Sequence, residues 1–247
     1  MPLTPVVTEV ERLLFRSDIA AAGAFRCSAK HGLFTDSGPA SGYLFVFPRS
    51  STKLLFAGGR TVTATPATTI FYNEGQEYRR ERIDGIDASD WFMAAEDVVR
   101  DVVTRYDNSA ADRGSKIFRL ASGRAAGRLY LRQRRIHQQL ATGAIDPLDA
   151  DEAIVNLLDA AVREACGVRP GPSPITPAER QEVVAKVMAV IAARPAANLP
   201  LRELAKAANC SPYHLCRIFR GATGYTITAY KHALRLHIAL GALRGRR

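Results

Sequence analysis

Histidine is scarce in this 247-residue chain, and its placement is more restrictive than its number. Of the five histidines, only His31 precedes His137, so the first half cannot assemble the imidazole cluster that a buried metal centre needs. Cys27, Cys166, Cys210 and Cys216 show neither CxxC nor any other metal-ligand spacing. With no secretory segment at the start, this cysteine usage predicts a reduced, cytoplasmic protein. No run of about 18 apolar residues exists, which removes a membrane-spanning helix. The sequence also has no GxSxG elbow, no HExxH helix and no GxxxxGK[ST] phosphate loop. Glu74, Glu77, Glu81, Asp84, Asp87 and Asp90 sit among polar or turn-forming neighbours, and most are expected to face water rather than to form an acid/base pair. These absences predict no catalytic residue, no metal and no cofactor, and hence a protein that is not an enzyme.

Acidic residues are scarce in one place. From residue 171 onward there are 12 Lys or Arg but only Glu179, Glu182 and Glu203, a balance of +9 out of the chain's +10, which leaves +1 for the first 170 residues. Such a distribution is the electrostatic footprint of a nucleic-acid-binding module joined to a nearly neutral partner. A merely solubilising surface is the other explanation of the same charge.

Residues 42–48, 52–57, 60–66, 68–73 and 77–84 are short, rich in β-branched and aromatic residues, and separated by Gly, Ser, Pro and Asn. Their close spacing predicts antiparallel hairpins in a barrel or sandwich, because parallel strands require longer crossovers. The period of two places Tyr43, Phe45 and Phe47 on one strand face. These rings either fill a core or line a ligand cavity; on the second reading the candidate ligand-binding residues are Tyr43, Phe45, Phe47, Phe56, Phe71 and Tyr72.

Beyond the strands the period becomes helical. Helices are expected over 95–107, over about 123–140 with Leu129, Leu131, Ile136 and Leu140 as its apolar positions, and over 149–166. One of their faces is a candidate homodimer seam. The Gly- and Pro-rich stretch 167–176 predicts a linker, giving one domain over 1–170 and a second over 171–247. After it, Thr176, Pro177 and Glu179 form a helix-start signal, and a helix should run to about Arg194. Two short helices follow, Leu201 to Ala208 and one opened by Ser211 and Pro212, with a tight turn at Asn209 and Cys210. Leu215, Ile218 and Phe219 fall on the inner face of the second, leaving Tyr213, His214, Arg217 and Arg220 outward. This is the composition of a recognition helix: Arg217 can address guanine O6 and N7, His214 a base edge or phosphate, and Arg220 a phosphate.

The segment "LPLRELAKAANCSPYHLCRIFRGATGYTITAYKHALRLHIAL", residues 199–240, resembles the DNA-binding domain of AraC/XylS-family transcriptional regulators. "LRELAKAANCSPYHLCRIFR" looks like the first helix-turn-helix of that family and "TGYTITAYKHALRLHIAL" like the turn and linker helix after it. The resemblance implies base contacts from Tyr213, His214 and Arg217, with Ser211 and Arg220 nearer the backbone. Residues 43–81 are similar, less specifically, to the family's cupin-like sensing barrel. The implied architecture is α+β: a cupin-like antiparallel β-barrel with packed helices, then an all-α helix-turn-helix domain. The implied partners are double-stranded DNA, a small-molecule effector, a second copy of the chain and RNA polymerase, and the implied role is transcription activation in the cytoplasm, at the nucleoid. One departure stands out: the family carries a second helix-turn-helix after the linker helix, and here the sequence ends at "GALRGRR". The alternative expectation is therefore a ligand-binding or dimerising protein whose DNA binding is weakened or lost.

Overall fold

Alternation of large apolar and other residues along the strands is what builds the first half of the molecule, because a pleated strand sends successive side chains to opposite faces. A computed structural model describes residues 10–31, 34–35, 38–82, 85–167 and 175–244. It shows an α+β chain, an antiparallel β region followed by a helical C-terminal part. Residues Met1–Ala144 with Leu157–Gly171 make one compact unit, and Ile145–Asn156 with Pro172–Arg247 the other. The second unit thus includes a segment from before residue 171, where the sequence places the boundary. Most of the expected linker, 168–174, lies outside the described residues, as do Asp84 and residues 245–247.

The strands of the first unit are β1 (Glu11–Arg16), β2 (Ala20–Ser28), β3 (Tyr43–Pro48), β4 (Thr52–Phe56), β5 (Thr61–Ala64), β6 (Thr68–Tyr72), β7 (Tyr78–Arg82), β8 (Ile86–Ala94) and β9 (Ser122–Arg124). One sheet has the order β1-β2-β8-β3-β6-β9 and the other β5-β4-β7. Every pairing is antiparallel. Register fixes what each face carries. Phe45 lies between Phe92 and Phe71, so one aromatic row crosses β8, β3 and β6. Leu44 lies between Met93 and Tyr72, and Val46 between Trp91 and Ile70, on the opposite face.

Helices α1 (Glu96–Thr104), α2 (Gly127–Ala141) and α3 (Pro147–Cys166) follow. Val98, Val99, Val102 and Val103 form the buried stripe of α1. Arg100, expected to face solvent, instead donates to the carbonyls of Ala110, Ala111 and Gly114 and so ties α1 to the 3-10 turn at Asn108–Asp112. α2 begins at Gly127 rather than near Gly123, because residues 122–124 pair with β6. Leu131 is exposed, not part of the α2 stripe, whose buried members are Leu129, Gln133, Ile136, His137 and Leu140. The N-terminus of α2 has no cap of its own; Glu164 from α3 accepts the Ala126 N–H at 2.8 Å.

Two of the acids expected in water are interior. Asp87 meets Arg80 at 2.9 Å, and Asp90, fully buried, meets Arg134 at 2.5 Å and His137 at 3.2 Å. A buried carboxylate requires such partners, and single-strand polarity does not reveal them. Burial holds the His137 imidazole below its ordinary value, against the opposing pull of the neighbouring Asp90 carboxylate.

In the second unit α4 (Pro177–Ala193), α5 (Leu201–Ala207), α6 (Pro212–Thr223) and α7 (Ile227–Arg244) join the first part of α3. The start of α4 is the capping box that the sequence predicts: Thr176 Oγ1 accepts the Glu179 N–H at 3.3 Å, and the Glu179 carboxylate accepts the Thr176 N–H at 2.7 Å. Val184, Val187 and Ile191 are its buried stripe.

Candidate nucleic-acid interface and barrel cavity

A helix can enter a groove only if its other face is anchored and its ends are satisfied. Both conditions are met by α6. Pro212, Leu215, Cys216, Ile218 and Phe219 are buried, and the Phe219 ring packs edge-on against Tyr230 of α7 at 5.6 Å between centroids. Ser211 is the N-cap, accepting the His214 N–H at 3.2 Å, and Pro212 occupies the first turn, where its missing N–H is no loss. At the other end Gly224 adopts φ +77° and its N–H meets the Arg220 carbonyl at 2.9 Å, a left-handed stop that glycine accommodates without strain. The turn from α5 is tight because Asn209 takes φ +54°, while the Cys210 N–H reaches back to the Ala205 carbonyl at 3.0 Å. These residues make a short helix, a four-residue corner and a second helix, all packed against α4.

The candidate DNA-binding residues separate into three groups. Arg220 is exposed; His214 and Arg217 are half-buried. Ser211 is the cap, and its hydroxyl also lies 3.0 Å from His214 Nδ1, which fixes the imidazole over the helix start. Tyr213, expected to point outward, is instead 3% exposed and belongs to the core. The packed face of α6 is wider than the Leu215, Ile218 and Phe219 stripe: Cys216, one turn beyond Tyr213, is buried as well. Sequence reasoning also passed over Gly221 and Ala222, both exposed. Gly221 stands one turn beyond Arg217, and a small residue there permits close approach of another surface. The signal was its i,i+4 spacing from Arg217.

Not all of the positive charge is available to a ligand. Lys231 is 1% exposed and paired with Asp146 at 3.0 Å. Arg235 donates to the carbonyls of Pro195 and Ala197, and Arg194 meets Glu203 at 2.6 Å. Arg180, Lys206 and Arg220 remain at the surface. Burial pushes the Cys210 thiol up to about 11 and the Cys216 thiol well above its ordinary value, so both stay protonated at neutral pH.

The first unit contains a cavity of about 500 Å³ between its sheets, lined by strand residues that include Leu44, Val46, Leu54, Ile70, Tyr72 and Trp91. Of the six aromatic residues named as ligand candidates, Tyr72 lines it. Tyr43, Phe45, Phe47 and Phe71 are on the reverse face of their strands, where Phe45 stacks on Phe92 at 5.5 Å and Phe71 packs on Phe118 at 5.0 Å. Phe56 shares the inner face of β4 with Leu54 but packs against Tyr72 and Tyr78 in the adjoining core. The period of two was right about a shared face; the cavity is on the other one. Among the described residues no group of three or more His, Cys, Asp or Glu is placed to hold a metal. No described helix is long and apolar enough to cross a membrane.

The chain is similar to solved structures over most of its length. The AraC-like transcriptional activator CuxR matches 89% of this chain and 75% of its own, at 15% identity and a TM-score of 0.34. ToxT from Vibrio cholerae matches 93% of this chain and 85% of its own, at 7% identity and a TM-score of 0.40. A shorter match, 35% of this chain and 46% of the other, is to the DMSP lyase DddQ from Ruegeria pomeroyi DSS-3, at 17% identity and a TM-score of 0.30. No protein-family model matches the sequence, and no curated protein does.

Proposed function

We propose that this protein is a sequence-specific DNA-binding regulator of transcription, with α6 as the helix that enters the major groove and the cavity of the first unit as the seat of a small-molecule effector. The observation that carries the reading is α6 itself: capped at both ends, anchored by six buried residues, and presenting His214, Arg217 and Arg220 on its accessible side. A helix of this build directs its N-terminal half at base edges, and the guanidinium of Arg217 matches the paired acceptors of guanine. Arg220 and Lys206 supply the phosphate contacts that position it. Binding as a homodimer to two half-sites strengthens the contact through effective concentration. The effector acts by binding the cavity with different affinity in two states of the protein, which is the thermodynamic requirement for control. RNA polymerase is the natural further partner of an activator.

The test is selection from a pool of random double-stranded DNA. Enrichment of a defined motif, with affinity falling steeply as salt rises, supports the reading. Binding that is absent, or weak and indifferent to sequence, contradicts it and favours a ligand-binding or dimerising protein instead.

A further inference from the structure

We infer that the cavity of the first unit takes an uncharged, largely apolar molecule and discriminates against organic anions; this rests on the reading of that cavity as a ligand site. Three observations combine. The first is charge. The ionisable residues lining the cavity are Glu11, Arg16, Asp18, Arg80 and Asp87, two cations against three carboxylates, so the walls offer no surplus positive charge.

The second is how the interior cation is held. Arg80 is 9% exposed, and its Nε lies 2.9 Å from Asp87. Its terminal nitrogen donates to the Tyr78 hydroxyl at 3.2 Å, and the guanidinium lies 4.2 Å from the centre of the Phe25 ring. Asp87 in turn accepts from Thr52 at 2.9 Å and Ser50 at 3.2 Å. A carboxylate ligand entering this site is brought close to the buried Asp87 and competes with it for a guanidinium already engaged, which is unfavourable. A neutral molecule leaves the pair intact.

The third is the apolar part of the wall, to which Leu13, Leu44, Val46, Leu54, Trp91 and Met93 contribute. The Trp91 ring lies directly over Gly23, where a Cβ would sit 2.4 Å from it, so the indole is held in place by the lack of a side chain on β2. The volume of about 500 Å³ falls in the range of small-molecule sites.

Trp91 is the single tryptophan of the chain, so its fluorescence reports on the cavity without any label. Methyl decanoate and decanoate share a carbon skeleton and differ in charge. Titrated separately against the full chain at neutral pH, the ester is expected to shift Trp91 emission and to bind at least about tenfold more tightly than the anion. In Asp87→Asn, which removes one carboxylate from beside Arg80, decanoate should gain about tenfold or more over its affinity for the wild type. Decanoate binding the wild type as tightly as the ester overturns the inference, and so does failure of both probes to move the emission; the wild-type comparison decides this even if the variant does not fold. DNA affinity measured with and without the ester separates the two readings. Ester binding that leaves DNA affinity unchanged contradicts effector control while the ligand class stands.

Discussion

Glu152 caps a helix that begins seventy-five residues after it in the chain. Its carboxylate accepts the backbone N–H of Ile227 and of Thr228, each at 2.8 Å, and the Thr228 hydroxyl at 2.7 Å. Helix starts leave N–H groups without partners inside the helix, and at α7 two of these are satisfied from α3. Burial pushes the carboxyl of Glu152 up while these hydrogen bonds oppose the shift. Because α7 braces Phe219 of α6 through Tyr230, the cap bears on the placement of the candidate reading helix. Glu152→Ala is expected to cost the second unit about 2–4 kcal/mol, since buried donors lose their acceptor. Urea unfolding followed by circular dichroism reads the loss.

A pH dependence follows from the neighbouring pair. Burial tends to raise the carboxyl of Asp146, but the hydrogen bond and charge of Lys231, with the N–H groups of Asp149 and Leu148, outweigh it and hold the group below its ordinary value. A carboxylate depressed in the fold contributes stability that is fully present above its unfolded value, about 3.9, and is lost as pH falls through the lower folded value. Thermal unfolding measured below about pH 4 should therefore show a progressive loss that Asp146→Asn flattens. At neutral pH the same variant should lose about 3–5 kcal/mol, because Lys231 is left buried without its counter-charge.

Tyr213 distinguishes a core residue from a base reader. It is 3% exposed, so Tyr213→Ala should destabilise the second unit by about 3–5 kcal/mol, in the manner of a large-to-small core change. Tyr213→Phe keeps the ring and should retain the sequence preference of DNA binding. A wild-type melting temperature for Tyr213→Ala would contradict the placement.

Gly23 is a conformational test of the cavity. A methyl group there would lie 2.4 Å from the Trp91 ring and from the Arg12 carbonyl, so Gly23→Ala must displace one or the other. The expected results are a shifted Trp91 emission and a stability loss of about 1–3 kcal/mol, typical of overpacking. Unchanged emission and stability would contradict the contact.

Much of the architecture was legible along the chain. Strands β3 to β7 and helices α3 to α6 fall close to where period and turn residues put them, α7 lies where the family resemblance implies a linker helix, and the Thr176 and Ser211 caps were readable as local chemistry. Strands β2 and β8 escaped notice for composition: β2 opens with alanines and carries Gly23, and β8 contains Asp87 and Asp90. Their strand character comes from pairing with each other over nine residues, which is not local information. Which face lines the cavity stayed open for a related reason. Both faces of the larger sheet bury apolar residues, so alternation along β3 separates Tyr43, Phe45 and Phe47 from Leu44 and Val46 without saying which set faces inward. In α6 the packed face extends past the Leu215, Ile218 and Phe219 stripe to Cys216 and Tyr213, a width that tertiary neighbours set and local period does not show.

The central claim is that α6 reads sequence through Arg217. The direct measurement is the affinity of the wild type and of Arg217→Ala for a selected duplex and for its scrambled counterpart, across a salt series. The account predicts that the variant loses about 1–3 kcal/mol of discrimination between the two duplexes while its binding to the scrambled one changes little. An unchanged ratio between the duplexes, or wild-type binding that never distinguishes them, would contradict it.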